Sequence, residues 1–241
     1  MAPPKRSTGP SLWLWAILAG IIAIIAVLAI ALSGDDEKTA TPATTPAPGS
    51  AAAGSAGTTA ARGSGAVAPA ENQPVAVTGA ALPATDLDTL ASPFDDPAIG
   101  QTAPTLAGYA FDGSPMTIDP AKGPLMVVFL AHWCPHCNRE IPVLRQWKDS
   151  GGVPDGLQVI AVSTAVTSAR EHFPPSQWLK QLSWPWPAMA DSAKQAAARA
   201  YGVGSYPYFV VIGADGKVKV RNAGEITVTA LTELVNRALN S

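Results

Sequence analysis

The chain contains two cysteines, Cys134 and Cys137, separated only by Pro135 and His136. A pair spaced C-x-x-C can alternate between two thiols and a disulfide, through attack by a thiolate on a disulfide sulfur. The alternative is a purely stabilising disulfide, which would close a very small loop and contribute little by loop entropy. The spacing therefore favours a redox-active pair over a structural crosslink.

The elements around the cysteines explain how one of them would become reactive. Residues 125–131 are an apolar run that predicts a buried strand, and residues 138–147 have helical spacing. A helix N-terminus carries unpaired N–H groups and a partial positive charge, which stabilise an anion such as a thiolate. Pro135 suits the first helical position, because its missing N–H leaves no bond unmade. We therefore predict that Cys134 is the nucleophile and that Cys137, one turn further in, resolves the mixed disulfide.

Two histidines lie close to these cysteines in the sequence. His136 lies between them, and as an imidazolium or a donor to sulfur it would stabilise the Cys134 thiolate. That would favour the reduced form and make the disulfide more oxidising. The alternative is a solvated histidine that does not influence the sulfurs. His132 precedes the pair, and nothing in the sequence assigns it more than a place beside them.

The order of these features resembles the thioredoxin superfamily. The run Cys-x-x-Cys-Asn-Arg-Glu-Ile-Pro is similar to the TlpA/ResA branch of membrane-tethered thiol–disulfide oxidoreductases, whereas the inner pair Pro-His is similar to DsbA-type oxidants. Residues 201–212, followed by Asp-Gly-Lys at 215–217, look like the family's cis-proline segment and its hairpin. The resemblance covers the chain from about Ala98 onward. It implies an α/β, thioredoxin-like fold with a central mixed β-sheet flanked by helices.

The resemblance also implies roles for single residues. Glu140 matches a glutamate that assists proton transfer with the buried thiol in these relatives; the alternative is an exposed first-turn carboxylate that favours the helix dipole. Pro207 is the implied cis-proline across from Cys134, where the backbone of Tyr206 would pair with an extended substrate. Trp133 would shield the sulfurs and form part of the docking surface.

These residues together predict an enzyme, a thiol–disulfide oxidoreductase that needs no cofactor. Its substrates would be cysteine-containing envelope proteins or apocytochromes, and it would exchange electrons with a membrane redox partner. TlpA/ResA relatives mostly reduce disulfides for cytochrome c maturation, whereas the Cys-Pro-His-Cys pair favours oxidation during protein folding. His136 makes us favour the oxidant.

Other classes of protein fit the sequence less well. A copper chaperone could use thiolate and imidazole ligands from His132, Cys134, His136 and Cys137, but a helix start directs such side chains in different directions. Covalent haem is excluded, because C-x-x-C-H needs histidine where Asn138 stands. A non-catalytic thioredoxin-like scaffold is disfavoured because both cysteines are present.

The first part of the chain predicts a membrane anchor. Residues 12–32 contain no charged residue and are long enough to span a bilayer as a helix. Basic residues precede this stretch and acidic residues follow it, which places residues 1–11 in the cytoplasm and the rest of the chain outside. A cleavable signal peptide is the alternative, since Ala29-Ile30-Ala31 resembles a cleavage site. Its apolar region would, however, be shorter than this one.

Residues 33–94 are rich in Ala, Thr, Pro and Gly and predict a disordered linker, because they offer too little apolar surface to offset ordering entropy. The folded domain is predicted to cover residues 95–241. A net charge of −2 gives no electrostatic reason to expect a nucleic-acid partner. Predicted strands lie at 105–111, 116–118, 125–131, 157–163, 208–212 and 217–221. Predicted helices lie at 135–148, 167–183 (one or two short ones), 192–201 and 227–239.

Overall fold

The computed structural model describes residues 65–241. The predicted anchor at residues 12–32 and the first half of the predicted linker lie outside the described residues. Within residues 65–241, the helices are too short or too polar to cross a bilayer.

One mixed sheet of eight strands organises residues 65–241. The strands are β1 (Ala76–Thr78), β2 (Thr105–Tyr109), β3 (Pro115–Ile118), β4 (Leu125–Leu130), β5 (Gln158–Ser163), β6 (Ala188–Ala190), β7 (Tyr208–Ile212) and β8 (Val218–Ala223). Their order is β1-β2-β6-β5-β4-β7-β8, and β3 also pairs with β2. The β4–β5 and β5–β6 pairs are parallel, and the other pairs are antiparallel.

The helices cover both faces of this sheet. They are α1 (Pro135–Asp149), α2 (Pro175–Gln181), α3 (Ala196–Ala200) and α4 (Val228–Leu239). Alternate residues of β4 point to opposite faces, as a pleated strand requires. Met126 and Val128 pack with α1, α2 and α4, whereas Val127 and Phe129 pack with α3. The predicted α/β architecture, a mixed sheet between helices, is therefore confirmed.

The predicted boundary at residue 95 is wrong, because the described part of the predicted linker belongs to the folded unit. Strand β1 pairs with β2, and Gln73 and Leu82 are only 4% and 3% exposed. The Leu82 N–H donates a hydrogen bond to the Ala200 carbonyl at 2.8 Å. Backbone hydrogen bonds to existing strands and helices thus hold a segment whose composition alone predicts no core.

A buried ion pair fixes this amino-terminal segment to β8. The Arg221 guanidinium donates to both carboxylate oxygens of Asp96 at 2.6 Å, and both side chains are 0% exposed. Arg221 also donates to the carbonyls of Pro83 and Tyr201, at 2.9 and 3.1 Å, and to the Thr85 hydroxyl at 3.3 Å. Because its remaining N–H groups find acceptors, the buried charge is compensated on every side.

Two predicted helical regions differ in the structure, and strand β6 was not predicted. Only Pro175–Gln181 is helical within the predicted 167–183 region, since His172 takes a left-handed φ of 60° and a proline follows at 174. Helix α3 begins at Ala196 instead of residue 192, because Gln195 is also left-handed. Strand β6 follows a Trp-Pro-Trp-Pro run and has three residues, which is too short for a readable periodicity.

Candidate active site

Cys134 lies at the junction between β4 and α1. It is the N-cap residue of α1, with φ −81° and ψ 119°, and Pro135 occupies the first helical position. Its side chain makes no capping hydrogen bond, and the residue lies at the end of the helix where the first-turn N–H groups have no partner within the helix. The residue is 6% exposed, and its Sγ donates to the Tyr206 carbonyl at 3.4 Å.

Cys137 lies beneath Cys134 in the first turn of α1. Its exposure is 0%, and both cysteines are free thiols in this structure. Burial raises the pKa of the Cys137 thiol far above its usual range, and the nearby charges of Cys134 and Glu140 act in the same direction. Cys137 is therefore the less accessible of the two sulfurs. It needs a proton acceptor before it can attack a mixed disulfide.

Glu140 is a buried carboxyl group next to this thiol, not an exposed first-turn residue. It is 1% exposed, and its Oε2 accepts a hydrogen bond from the Ile226 N–H at 3.1 Å. Its Oε1 is buried without a hydrogen-bond partner among the described residues. Burial raises the pKa of Glu140 to about 7, although the Ile226 hydrogen bond lowers it. A group that titrates near neutral pH is suited to accept or return a proton.

His136 binds a carboxylate instead of a sulfur. Its Nδ1 lies 2.6 Å from Oε1 of Glu225, and Arg139 donates to the same carboxylate through Nη2 at 2.6 Å and Nε at 3.1 Å. These hydrogen bonds, chiefly the one from Arg139, lower the pKa of Glu225 to about 2. The interaction with Glu225 raises the pKa of Arg139, and the charge of Cys134 adds to this.

Trp133 lies against the loop that follows β5. Its Nε1 donates to the Ala165 carbonyl at 2.8 Å, and the Arg170 guanidinium lies 5.2 Å from its ring centroid. The neighbouring His132 is 0% exposed and positions the same loop: Nε2 accepts from the Thr167 N–H at 3.3 Å, so Nδ1 carries the proton donated to the Glu171 carbonyl at 2.7 Å.

The segment before β7 completes the site. The Tyr206–Pro207 peptide bond is cis, as the resemblance predicts. The Tyr206 ring meets Trp133 edge-on at a centroid distance of 6.1 Å, and its hydroxyl donates to Oε1 of Gln195 at 3.4 Å. The structure thus brings Trp133, Cys134, Tyr206 and Pro207 together at one end of the sheet.

The alternative copper site is not supported. Both ring nitrogens of His132 are engaged by backbone groups, and His136 pairs with Glu225. Across residues 65–241, no three side chains of His, Cys, Asp or Glu are grouped so that they could hold a metal ion. The residues proposed as ligands are therefore not arranged as a metal site.

Two residues of the site are not predicted by the sequence reasoning. Asn138 donates to the Cys134 carbonyl at 3.0 Å and accepts from Nε1 of Trp178 at 2.7 Å, which ties the helix start to α2. Asn138 belongs to the run that carries the resemblance, so its position could have suggested a role. Glu225 is 89 residues from His136 in sequence, and no local pattern connects the two.

Comparison with known proteins identifies related sequences. The model of the AhpC/TSA family matches residues 99–221. The Arabidopsis thaliana protein named "Probable nucleoredoxin 1" is 24% identical over 119 residues, which are 48% of this chain and 20% of that protein. The chain therefore spans about a fifth of the length of the curated relative that it matches.

Similar solved structures come from several bacteria. StoA from Bacillus subtilis is 17% identical, with a TM-score of 0.46 over 57% of this chain and 98% of its own. A thiol:disulfide interchange protein from Chlorobium tepidum is 24% identical, with a TM-score of 0.47 over 57% and 94%. A secreted Mycobacterium tuberculosis disulfide oxidoreductase, homologous to Escherichia coli DsbE, is 20% identical, with a TM-score of 0.45 over 54% and 93%.

Proposed function

Because the chain belongs to the AhpC/TSA family, we propose that it is a thiol–disulfide oxidoreductase that acts on protein cysteines through Cys134 and Cys137. One observation carries the proposal: a thiol at the start of a helix lies directly over a second, fully buried thiol. The first would react with a substrate sulfur, and the second, which is 0% exposed, would react with the first. This is the arrangement that two-step disulfide exchange requires.

In the oxidising direction, the enzyme begins as the Cys134–Cys137 disulfide. A substrate thiolate attacks Cys134 Sγ, the Cys134–Cys137 bond breaks, and Cys137 leaves as a thiolate that takes up a proton. A second substrate thiolate then attacks the substrate sulfur of the mixed disulfide and releases the Cys134 thiolate. The substrate loses two electrons, which the enzyme retains as a dithiol. The reducing direction is the reverse of these steps.

Glu140 is the proposed proton carrier for Cys137 in both directions. The Cys137 thiol is buried and its pKa is raised, so its proton must pass to or from a nearby group. The Glu140 carboxyl group is buried beside it, with a pKa of about 7 and one oxygen that has no hydrogen-bond partner within residues 65–241. Protonated Glu140 can donate a proton to the leaving Cys137 thiolate, and ionised Glu140 can take a proton from the attacking Cys137 thiol.

Substrate binding is proposed to use the backbone before Pro207. An extended polypeptide could pair with Tyr206, whose carbonyl lies 3.4 Å from Cys134 Sγ, and could contact Trp133 on the other side. The proposed substrates are cysteine-containing envelope proteins or apocytochromes, with a membrane redox partner that restores the starting redox state.

The direction that we propose first is oxidation, from the histidine between the cysteines and the helix start at Cys134. A reductase of the kind used in cytochrome c maturation is the second candidate. It is favoured by the contact between His136 and Glu225, because a histidine held by a carboxylate contributes less to the thiolate.

Equilibration of the full-length chain with glutathione mixtures tests both the function and its direction. We expect reversible formation of a Cys134–Cys137 disulfide, measured by alkylation and mass spectrometry. An oxidant should show a potential nearer to about −120 mV, as in DsbA, than to about −270 mV, as in thioredoxin. A potential near about −270 mV would make the reductase the leading candidate. Absence of exchange with glutathione would reject both the oxidant and the reductase.

A membrane location is part of the proposal. It is supported by the uncharged stretch at residues 12–32 and by its flanking charges, which orient the catalytic domain outside the cytoplasm. Protease added to intact spheroplasts should remove the domain and leave a short membrane-bound stub. A soluble mature protein that begins near Leu32 would show signal cleavage instead.

A further inference from the structure

Three consecutive residues between β8 and α4 contact three separate parts of the site. The Gly224 N–H donates to the Pro207 carbonyl at 2.9 Å, and Gly224 takes a φ of 79° that suits glycine. The Glu225 carboxylate binds the exposed side chains of His136 and Arg139. The Ile226 N–H donates to the buried Glu140. We call residues 224–226 the brace.

The brace determines where the positive charges near Cys134 are held. When His136 Nδ1 carries a proton it donates to Glu225, and when it does not it can accept from Arg139 Nη2 at 3.0 Å. Among the described contacts, neither arrangement includes a hydrogen bond from His136 to a sulfur. Arg139, and His136 when it is protonated, therefore interact with a carboxylate that competes with the Cys134 thiolate for positive charge.

The same segment also places the proton carrier. The Ile226 N–H is the hydrogen-bond donor to Glu140 Oε2 among the described residues, and Ile226 follows Glu225 directly. Anchoring Glu225 to α1 therefore holds the Ile226 N–H against a side chain of the same helix. The brace thus links the exposed ion pairs of Glu225 to the buried carboxyl group of Glu140.

We infer that Glu225 is a positioning residue of the redox site, which weakens the stabilisation of the Cys134 thiolate by His136 and Arg139 and keeps the brace on α1. The inference rests on the proposed function. Its consequence is a less oxidising disulfide than the Cys-Pro-His-Cys sequence alone predicts, because stabilisation of the reduced form is what makes a disulfide oxidising. Glu225 acts through its two partners, His136 and Arg139.

The variant Glu225→Gln removes the competing charge and frees both cations. We expect the equilibrium with glutathione to shift toward the dithiol by at least about threefold, a size typical of exposed charge pairs. The matched control is Glu233→Gln, the same change at an exposed carboxylate on α4, which should leave the equilibrium unchanged. Thermal unfolding of both variants separates a loss of stability, which a merely structural role would produce, from a change in redox equilibrium.

A second background tests whether Glu225 acts through its partners. In a His136→Gln, Arg139→Gln protein, Glu225→Gln should change the equilibrium by less than about twofold, because the cations that it releases are absent. A full-sized shift in that background, or no shift in the otherwise native chain, would overturn the inference. If the native chain itself fails to exchange with glutathione, the proposed function fails instead, so the two failures are distinguishable.

Discussion

The substitution Cys134→Ser is expected to abolish disulfide exchange, whereas Cys137→Ser is expected to stop it halfway. Cys134 is the sulfur at the N-cap of α1, and Cys137 is completely buried beneath it. Without Cys134 no accessible thiolate remains, so reaction with a disulfide substrate such as insulin should fall to background. Without Cys137 the first attack still occurs, but the mixed disulfide has no resolving thiol and should accumulate.

Non-reducing electrophoresis and mass spectrometry of the two reduced variants measure this difference. We expect a covalent adduct at Cys134 in the Cys137→Ser protein and none in the Cys134→Ser protein. The two variants are controls for each other, since each exchanges one sulfur for oxygen within the same turn. An adduct at Cys137 in the Cys134→Ser protein would reverse the assignment of nucleophile and resolving thiol.

The second large effect is on the pH dependence of stability and arises from Glu140. Its pKa is about 7 in the folded chain against an ordinary value of 4.5, so between these values the folded chain holds a proton that the unfolded chain has released. The free energy of unfolding therefore falls as the pH rises through this window and remains lower above it. For a shift of this size the loss is about 3 kcal/mol.

The side chain introduced by Glu140→Gln cannot ionise, so the free energy of unfolding of this variant should not fall in this way as the pH rises. The free energy of unfolding of the reduced proteins can be measured with urea at about pH 4.5 and about pH 8. The difference between the variant and the native chain should be about 3 kcal/mol more in favour of the variant at the higher pH. Glu233→Gln is the control, because it makes the same change at an exposed position. Equal pH dependence in native and Glu140→Gln proteins would show that the carboxyl group titrates normally.

The sequence predicts the centre of the fold well because strong local signals coincide there. The apolar run of β4, the cysteines and the proline at the first position of α1 each point to the same strand-to-helix junction. The cis bond at Pro207 was predicted by resemblance and not by local chemistry. Where propensity, pattern and motif agree, a single sequence is sufficient to predict such a strand-to-helix junction.

The contacts made by exposed or distant residues could not be predicted in this way. The pairing of His136 with Glu225 joins residues 89 positions apart, and no local sequence pattern connects the two. The burial of Glu140 depends on how α1 packs, which one carboxylate in a helical run does not reveal. Hydrogen bonds and one ion pair hold the amino-terminal segment in place. A prediction of disorder from its low apolar content therefore fails for this segment.

That ion pair also has a consequence for the order in which the chain is made. Asp96 and Arg221 are 125 residues apart. At a synthesis rate of about 5–20 residues per second, Asp96 is therefore added to the chain roughly 6–25 s before Arg221. Until β8 has been made, the segment around Pro83 and Asp96 lacks the group that fixes it, and one face of β4 lacks part of its cover. The last packing step of residues 82–96 must therefore await nearly the whole polypeptide, however early the central strands pair.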